Sequence, residues 1–296
     1  MHRILKPWFV YRPTQILRRM FCSIGPAGES SELGTLKTSW GGRLILARNK
    51  DIGKSIARTG VYDLAVTEAF ARLVDPGNTV VDVGANIGYT TQLAALLAGP
   101  RGKVVSFEPH PELFQLLRRN CEPLLKRSCT PDLHQLALGQ ETGVGSLSIG
   151  ESFSHNDGTS HIVSVPDKNS IPVDIRSLDS IARELDISLL KIDVEGGEFA
   201  VLQGAELTLA AGRIRHILFE DHTWQDSPVF SLLARHGYQI CSIGWTLRGP
   251  VAGNLQSGLL SKVYEAPNFV ASLDLADVYR RFSPRGWRSL RNITPA

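Results

Sequence analysis

The chain has 296 residues, 43% hydrophobic and 21% charged, an ordinary globular composition with ample length for a buried core. The formal net charge of +3 gives no argument for nucleic acid as a partner. No apolar run approaches the ~20 residues that span a bilayer, and the N-terminus lacks the apolar stretch and cleavage site of a secretory signal. Cys22, Cys121, Cys129 and Cys241 contain no C-x-x-C pair; this argues against a zinc site or disulfide framework and makes a reducing, cytoplasmic setting the expectation.

Residues 1–28 carry Arg3, Lys6, Arg12, Arg18 and Arg19 and no acid, and the end, "YRRFSPRGWRSLRNITPA", is also basic. Both read as solvated or edge-packed segments. Contact of the basic N-terminus with a membrane surface or an acidic partner is a second reading, and an organelle transit peptide a third. Residues 1–35 look helical, then loop-like. "LKTSWGGRLILARN" (36–49) reads as a hairpin turning at Gly41-Gly42, and 61–74 has helical spacing up to the breaker "DPGN".

From there strands and helices alternate: "TVVDVG", "YTTQLAALLA", "KVVSFE", "PELFQLLRRN" and "DLHQLALG". Residues 140–172 interrupt with strands around a polar loop. The rhythm resumes with "SLDSIARELD", capped by Ser177, then "SLLKIDVEG", one long helix "EFAVLQGAELTLAA" and "RHILFED". "SPVFSLLARHG" has Ser227 as N-cap, Pro228 at the first position and Gly237 past the end. "YQICSIG" and "NFVASLD" are two late strands, read as an antiparallel edge. Such alternation implies an α/β fold, with a parallel sheet covered on both faces.

In an open α/β sheet, ligands sit at the carboxyl ends of the strands. "DVGANIG" falls there. Gly84 and Gly88 permit tight turning and close approach of a ligand, the helix start beyond Gly88 offers free N–H groups, and Asp82 can accept from an amine. The run Gly84-Ala85-Asn86-Ile87-Gly88 has Asn where a dinucleotide fingerprint needs its second glycine, so a smaller ligand with an amino-acid end fits better. The next strand ends in Glu108, placed to bond a ribose diol. An amino-acid moiety on one strand and a ribose on the next describe S-adenosylmethionine. The plainer alternatives are Asp82 as a turn cap and Glu108 as a helix-initiating acid.

"DVGANIGYTT", "SFEPHPELF" and "LLKIDVEGGEFAVLQGAE", in this order, resemble the signature blocks of FkbM-type S-adenosylmethionine-dependent methyltransferases. The resemblance covers roughly 52–272, flanked by a basic helix/hairpin extension (1–51) and a basic tail (273–296). It implies a class I methyltransferase-like Rossmann fold, a doubly wound seven-stranded, mostly parallel sheet with an antiparallel last strand. It implies O-methylation of a hydroxyl on a sugar, glycan or secondary metabolite. Cofactor positions carry onto Asp82, Gly84, Ala85, Asn86, Gly88 and Glu108, with adenine near Ala137. The family's acid after the aromatic aligned with Tyr62 is Asp63, with Glu68 as rival.

"KIDVEGGE" puts Asp193, Glu195 and Glu198 together, and these carboxylates repel one another unless a positive group joins them. The cofactor's sulfonium, Lys191, or Mg2+ or Mn2+ held with Glu220, Asp221 and His222 are the candidates. Asp193 is expected to orient or deprotonate the acceptor, with Glu195 or His222 assisting; helix-dipole pairing is the alternative for Glu195 and Glu198. His155 and Asn156 in the polar loop are the substrate-binding candidates, and the loop's alternative is a solvated tip. Trp40, Trp224 and Trp245 either stack on a sugar or pack in the core. Methylation of an amide, carboxylate or lipid head group, a non-catalytic cofactor-binding module and an NAD-dependent oxidoreductase are the competing functions.

Overall fold

A computed structural model describes residues 6–11, 33–122, 128–150, 160–163, 168–224, 226–255 and 267–293. After a single turn of helix, α1 (Pro7–Val10), come the hairpin β1 (Leu33–Lys37) and β2 (Arg43–Ala47), then α2 (Asp51–Thr59) and α3 (Leu64–Leu73). The hairpin closes through Thr38 N–H donating to the Gly42 carbonyl, so its turn is wider than a two-residue Gly-Gly turn. The sequence reading did not find α2, which buries Ile52 and Ile56 one turn apart.

The central run is β3 (Thr79–Val83), α4 (Tyr89–Ala98), β4 (Lys103–Phe107), α5 (Pro111–Cys121) and β5 (Asp132–His134). A second sheet follows: β6 (Ala137–Leu138), β7 (Gly143–Ser148), β8 (His161–Val163) and β9 (Ser170–Arg176). The single strand expected over 132–139 is therefore two, β5 pairing with β4 and β6 with β9. The chain returns through α6 (Leu178–Ala182), β10 (Ile187–Ile192), α7 (Glu198–Gln203), α8 (Glu206–Ala210) and β11 (Ile214–Glu220). The expected long helix is broken into α7 and α8 because Asp179 accepts from Leu207 N–H and Thr208 N–H, capping a fresh helix start. The last elements are α9 (Pro228–Arg235), β12 (Gln239–Thr246), β13 (Gly249–Asn254), β14 (Asn268–Ser272) and α10 (Leu275–Phe282).

The main sheet has eight strands in the order β13-β12-β14-β11-β10-β3-β4-β5. β11, β10, β3, β4 and β5 run parallel, and β14 inserts antiparallel between β11 and β12. The two late strands do not form the edge; β13 does. Its Gly and Pro residues hide it in the sequence, and an edge strand tolerates Pro250. Alternate residues of each strand feed the two faces. Val80, Val104, Leu189 and Leu218 enter one apolar cluster, and Val81, Val105, Leu190 and Ile217 the other. Burial on both faces explains the near-continuous apolar strands.

The described hairpin (33–47) and residues 275–293 are built into this body. Asn120 of α5 accepts from Ile45 N–H and donates to the Ile45 carbonyl, completing the edge of β2. At the other end, the fully buried Glu68 carboxylate accepts from Arg72, from Arg288 and Ser289 N–H and from the Ser289 hydroxyl. Arg72 in turn donates to the Arg281 and Gly286 carbonyls. Residues 275–293 are thus a packed strap over α3 rather than a solvated tail. Removing one partner of such a buried pair costs about 3–5 kcal/mol. Among the described residues no helix is long and apolar enough to cross a membrane.

Candidate active site

Chain order runs outward from β3 to β5 on one side and resumes at β10 on the other. The switch point therefore lies between β3 and β10, where open α/β sheets bind ligands at the strands' carboxyl ends. A cavity of about 500 Å³ opens there, lined by Gly84, Ala85, Asn86, Glu108, Ala137, Lys191, Asp193 and Glu195 among others.

The β3 turn is held by its own backbone. Gly84 N–H and Ala85 N–H both donate to the Phe107 carbonyl at 3.0 Å. Gly84 has φ +73, and a Cβ there would lie 1.9 Å from the Asp193 carbonyl oxygen, so only glycine fits. Asn86, in the expected second-glycine position, sits at φ 51, a left-handed conformation that Asn tolerates. Its N–H donates to Glu108 Oε2 at 2.8 Å, while His110 N–H donates to Glu108 Oε1 at 2.9 Å. Burial pushes the Glu108 carboxyl up to about 7, against the pull of those two N–H groups.

Asp82 and Gly88 stand behind this wall and do not line the cavity. Asp82 is fully buried; Oδ2 accepts from the Thr90 and Thr91 hydroxyls at 2.8 and 2.7 Å, and Oδ1 lies 3.4 Å from Lys191 Nζ. Both of these hydroxyl bonds go to Oδ2, while the buried Oδ1 accepts no hydrogen bond among the described residues. Gly88, at φ 90, starts α4, and a Cβ there would meet Leu117 at 2.8 Å.

At the other end of the cavity, Tyr62, Asp63, Asp193, Glu195, Glu220 and Asn268 converge. Asp63 caps α3 through Val66 N–H and accepts from Asn268 at 3.1 Å. Of the two acids Asp63 and Glu68, Asp63 lines the cavity and Glu68 is locked in the core. Burial, then Asp193 and Asp63, push Glu220 up to about 8. Burial, then Asp193 and Glu198, push Glu195 up to about 7. The same crowding raises the Tyr62 hydroxyl, burial first and Asp193 next. Glu198 turns away and accepts from Val194 and Gly196 N–H, a local loop cap.

His222 does not join this group. Its side chain is 72% exposed, outside the cavity wall, with Nε2 3.2 Å from Glu220 Oε1. Among the described residues, no three His, Cys, Asp or Glu side chains come together to hold a metal, so the expected Mg2+ or Mn2+ finds no donor set. His155 and Asn156 lie outside the described residues. The tryptophans pack: Trp40 donates to the Tyr89 hydroxyl, Trp224 lies on Phe269 and Trp245 on Trp8. Sequence reasoning assigned no role to Asn268, although the stretch "EAPNFVA" that holds it also resembles the family, nor to Tyr89. The Tyr89 hydroxyl accepts from Tyr62 N–H and meets Thr67, tying the hairpin to the cavity wall.

Five parallel strands with an antiparallel strand inserted beside β11, and a pocket at the β3/β10 switch, define a class I methyltransferase-type Rossmann fold. Residues 82–240, more than half of the chain, match the methyltransferase FkbM domain, and the chain belongs to that family. Methyltransferase 1 of Beauveria bassiana is 30% identical over 147 residues, spanning 43% of this chain and 58% of that protein. The 31-O-demethyl-FK506 methyltransferase FkbM of Streptomyces tacrolimicus is 29% identical over 197 residues, 56% of this chain and 74% of the relative. A crystal structure of methyltransferase FkbM from Methylobacillus flagellatus KT superposes with a TM-score of 0.44 at 16% identity, over 73% of this chain and 52% of that one.

Proposed function

We propose that the protein methylates a hydroxyl group of a sugar or small natural product, using S-adenosylmethionine. The observation that carries the reading is the placement of Glu108 beside the Gly84–Asn86 turn, in a cavity whose far wall is a cluster of carboxylates. Glu108 keeps acceptor capacity for a ribose diol, the turn and the start of α4 suit an amino-acid end, and Ala137 to Gln140 line the space beyond Glu108 for an adenine. A cation is what Asp193, Glu195 and Glu220 together favour. When bound, the cofactor supplies a methyl group on a sulfonium.

The chain's own share is to orient the acceptor and take up a proton. Asp193, half exposed into the cavity, is placed to hold the acceptor hydroxyl. Glu195 and Glu220, at about 7 and about 8, have proton affinities suited to a general base near neutrality. The name of the Streptomyces tacrolimicus relative supports an oxygen acceptor.

The test is calorimetry with S-adenosylmethionine, followed by labelled-methyl transfer to a panel of neutral polyols and macrolides. Heat with wild type, and Asp193→Asn turning over ~10²–10⁴-fold more slowly with a much smaller loss of cofactor affinity, is the expected result. No heat with wild type overturns the reading.

A further inference from the structure

Lys191 is the residue of the site whose surroundings are least explained by cofactor binding. It pairs in register with Asp82 across β10 and β3, is 4% exposed, and ends at the cavity wall. Its ammonium donates to the Gly84 carbonyl at 2.7 Å and the Val83 carbonyl at 3.3 Å. It lies 3.4 Å from Asp82 Oδ1 and 3.4 Å from Asp193 Oδ2. Burial alone pulls the ammonium down; Asp193 and Asp82 outweigh it and hold the group above its ordinary value. A charged, three-donor head therefore sits among four oxygens drawn from both sides of the switch point.

The structure assigns Lys191 as a positioning residue: its ammonium fixes the Asp193 carboxylate, at the acceptor end, relative to the Gly84 turn at the cofactor end. The turn has other supports, since Gly84 and Ala85 N–H bind the Phe107 carbonyl and Gly84 packs on the Asp193 backbone. The Asp193 side chain, 48% exposed, has Lys191 as its ion-pair partner among the described residues. Loss of the ammonium thus releases the carboxylate more than the turn. Misplacement of a catalytic group by about 1 Å costs ~10²-fold in rate. This inference rests on the methyltransferase reading above.

Lys191→Met leaves Asp82 buried without its cation, which by itself destabilises. The informative variant is therefore Asp82→Asn/Lys191→Met, compared with Asp82→Asn, each also carrying Asp193→Asn. Melting temperature, cofactor affinity by calorimetry, and kcat and KM are measured for all four. Lys191→Met is expected to lower kcat ~10²-fold in the Asp82→Asn background, with cofactor affinity within about 3-fold. Once residue 193 is Asn, it is expected to have no further effect, because the two side chains act as one unit. An unchanged kcat, or an equal loss with and without Asp193, overturns the assignment. Failure of both Lys191→Met and the double variant to fold assigns Lys191 to stability and overturns it as well. Wild type that binds cofactor and transfers methyl but ignores Lys191 sinks this inference alone; wild type that gives no heat sinks the functional reading.

Discussion

The two ends of the cavity are built by different rules. The end proposed for the cofactor consists of strand tips and backbone: Gly84 N–H donates to the Phe107 carbonyl, and Glu108 accepts from the N–H groups of Asn86 and His110. The acceptor end consists of side chains from four separate places, Asp63 before α3, Asp193 and Glu195 after β10, Glu220 at the end of β11 and Asn268 at the start of β14. There Glu195 and Glu220 are crowded by neighbouring carboxylates and raised. On the function proposed above, the backbone-held end is the one that recognises the cofactor, and the raised carboxylates stand where the acceptor's proton moves.

The sharpest way to break the contrast is at Gly84. Alanine there needs a left-handed backbone, costing ~1–2 kcal/mol, and drives its Cβ to 1.9 Å from the Asp193 carbonyl. Because the clash is with backbone of β10's end, both ends of the cavity shift together. Gly84→Ala is expected to lower the melting temperature by about 10 °C and to abolish cofactor heat. A variant with wild-type melting and affinity means the β3 turn is not the rigid element described.

Glu108 tests the cofactor end without touching the acceptor end. Both of its oxygens accept backbone N–H groups, so Glu108→Gln sets an amide N–H against a donor and removes one charged acceptor for the ribose. Cofactor affinity is expected to fall ~10²-fold, read by calorimetry, with a smaller change in kcat at saturating cofactor.

These two positions also show what the sequence discloses. The contiguous "DVGANIG", the "SFEP" acid and the β-α alternation made the sheet, its switch point and Glu108 readable, since each depends on neighbours a few residues apart. Asp82, expected to meet the ligand directly, lies behind the cavity wall. From spacing alone, a carboxylate at a strand tip cannot be told from one whose Oδ2 is already taken by the Thr90 and Thr91 hydroxyls and which lies beside Lys191. The role of Asn268 and the β13 edge depend on pairing across the fold, and the second helix start at α8 depends on Asp179 from α6, so local sequence alone does not assign them.

The acceptor end is sharpened by pH. Glu195 and Glu220 are raised to about 7 and about 8, and Glu108 to about 7, so these cavity carboxylates carry protons at neutral pH. A bound cation favours the ionised carboxylates and expels those protons. Affinity for S-adenosylmethionine is therefore expected to rise from pH 6 to pH 8 and flatten above, by up to ~10-fold per unit for each proton released. Calorimetry at pH 7 in two buffers of different ionisation enthalpy counts the protons, with about one expected. A pH-independent affinity would mean that the carboxylate cluster does not sense the ligand's charge.

The smallest expected effect separates the cluster from its surroundings. His222 follows β11 by two residues and contacts Glu220, which makes it look like part of the acceptor end. Its exposure places the imidazole in water, where an ion pair with a carboxylate is worth little. Glu220 is raised by burial and by Asp193, Asp63, Glu195 and Glu198; the imidazole is not among those causes. His222→Ala should leave kcat and cofactor affinity within about 2-fold of wild type and keep the pH dependence above in place. A loss of ~10²-fold in kcat would move the proton-accepting group from the buried carboxylates to the rim, and the division between a fixed end and a charged end would then have to be drawn through β11 itself.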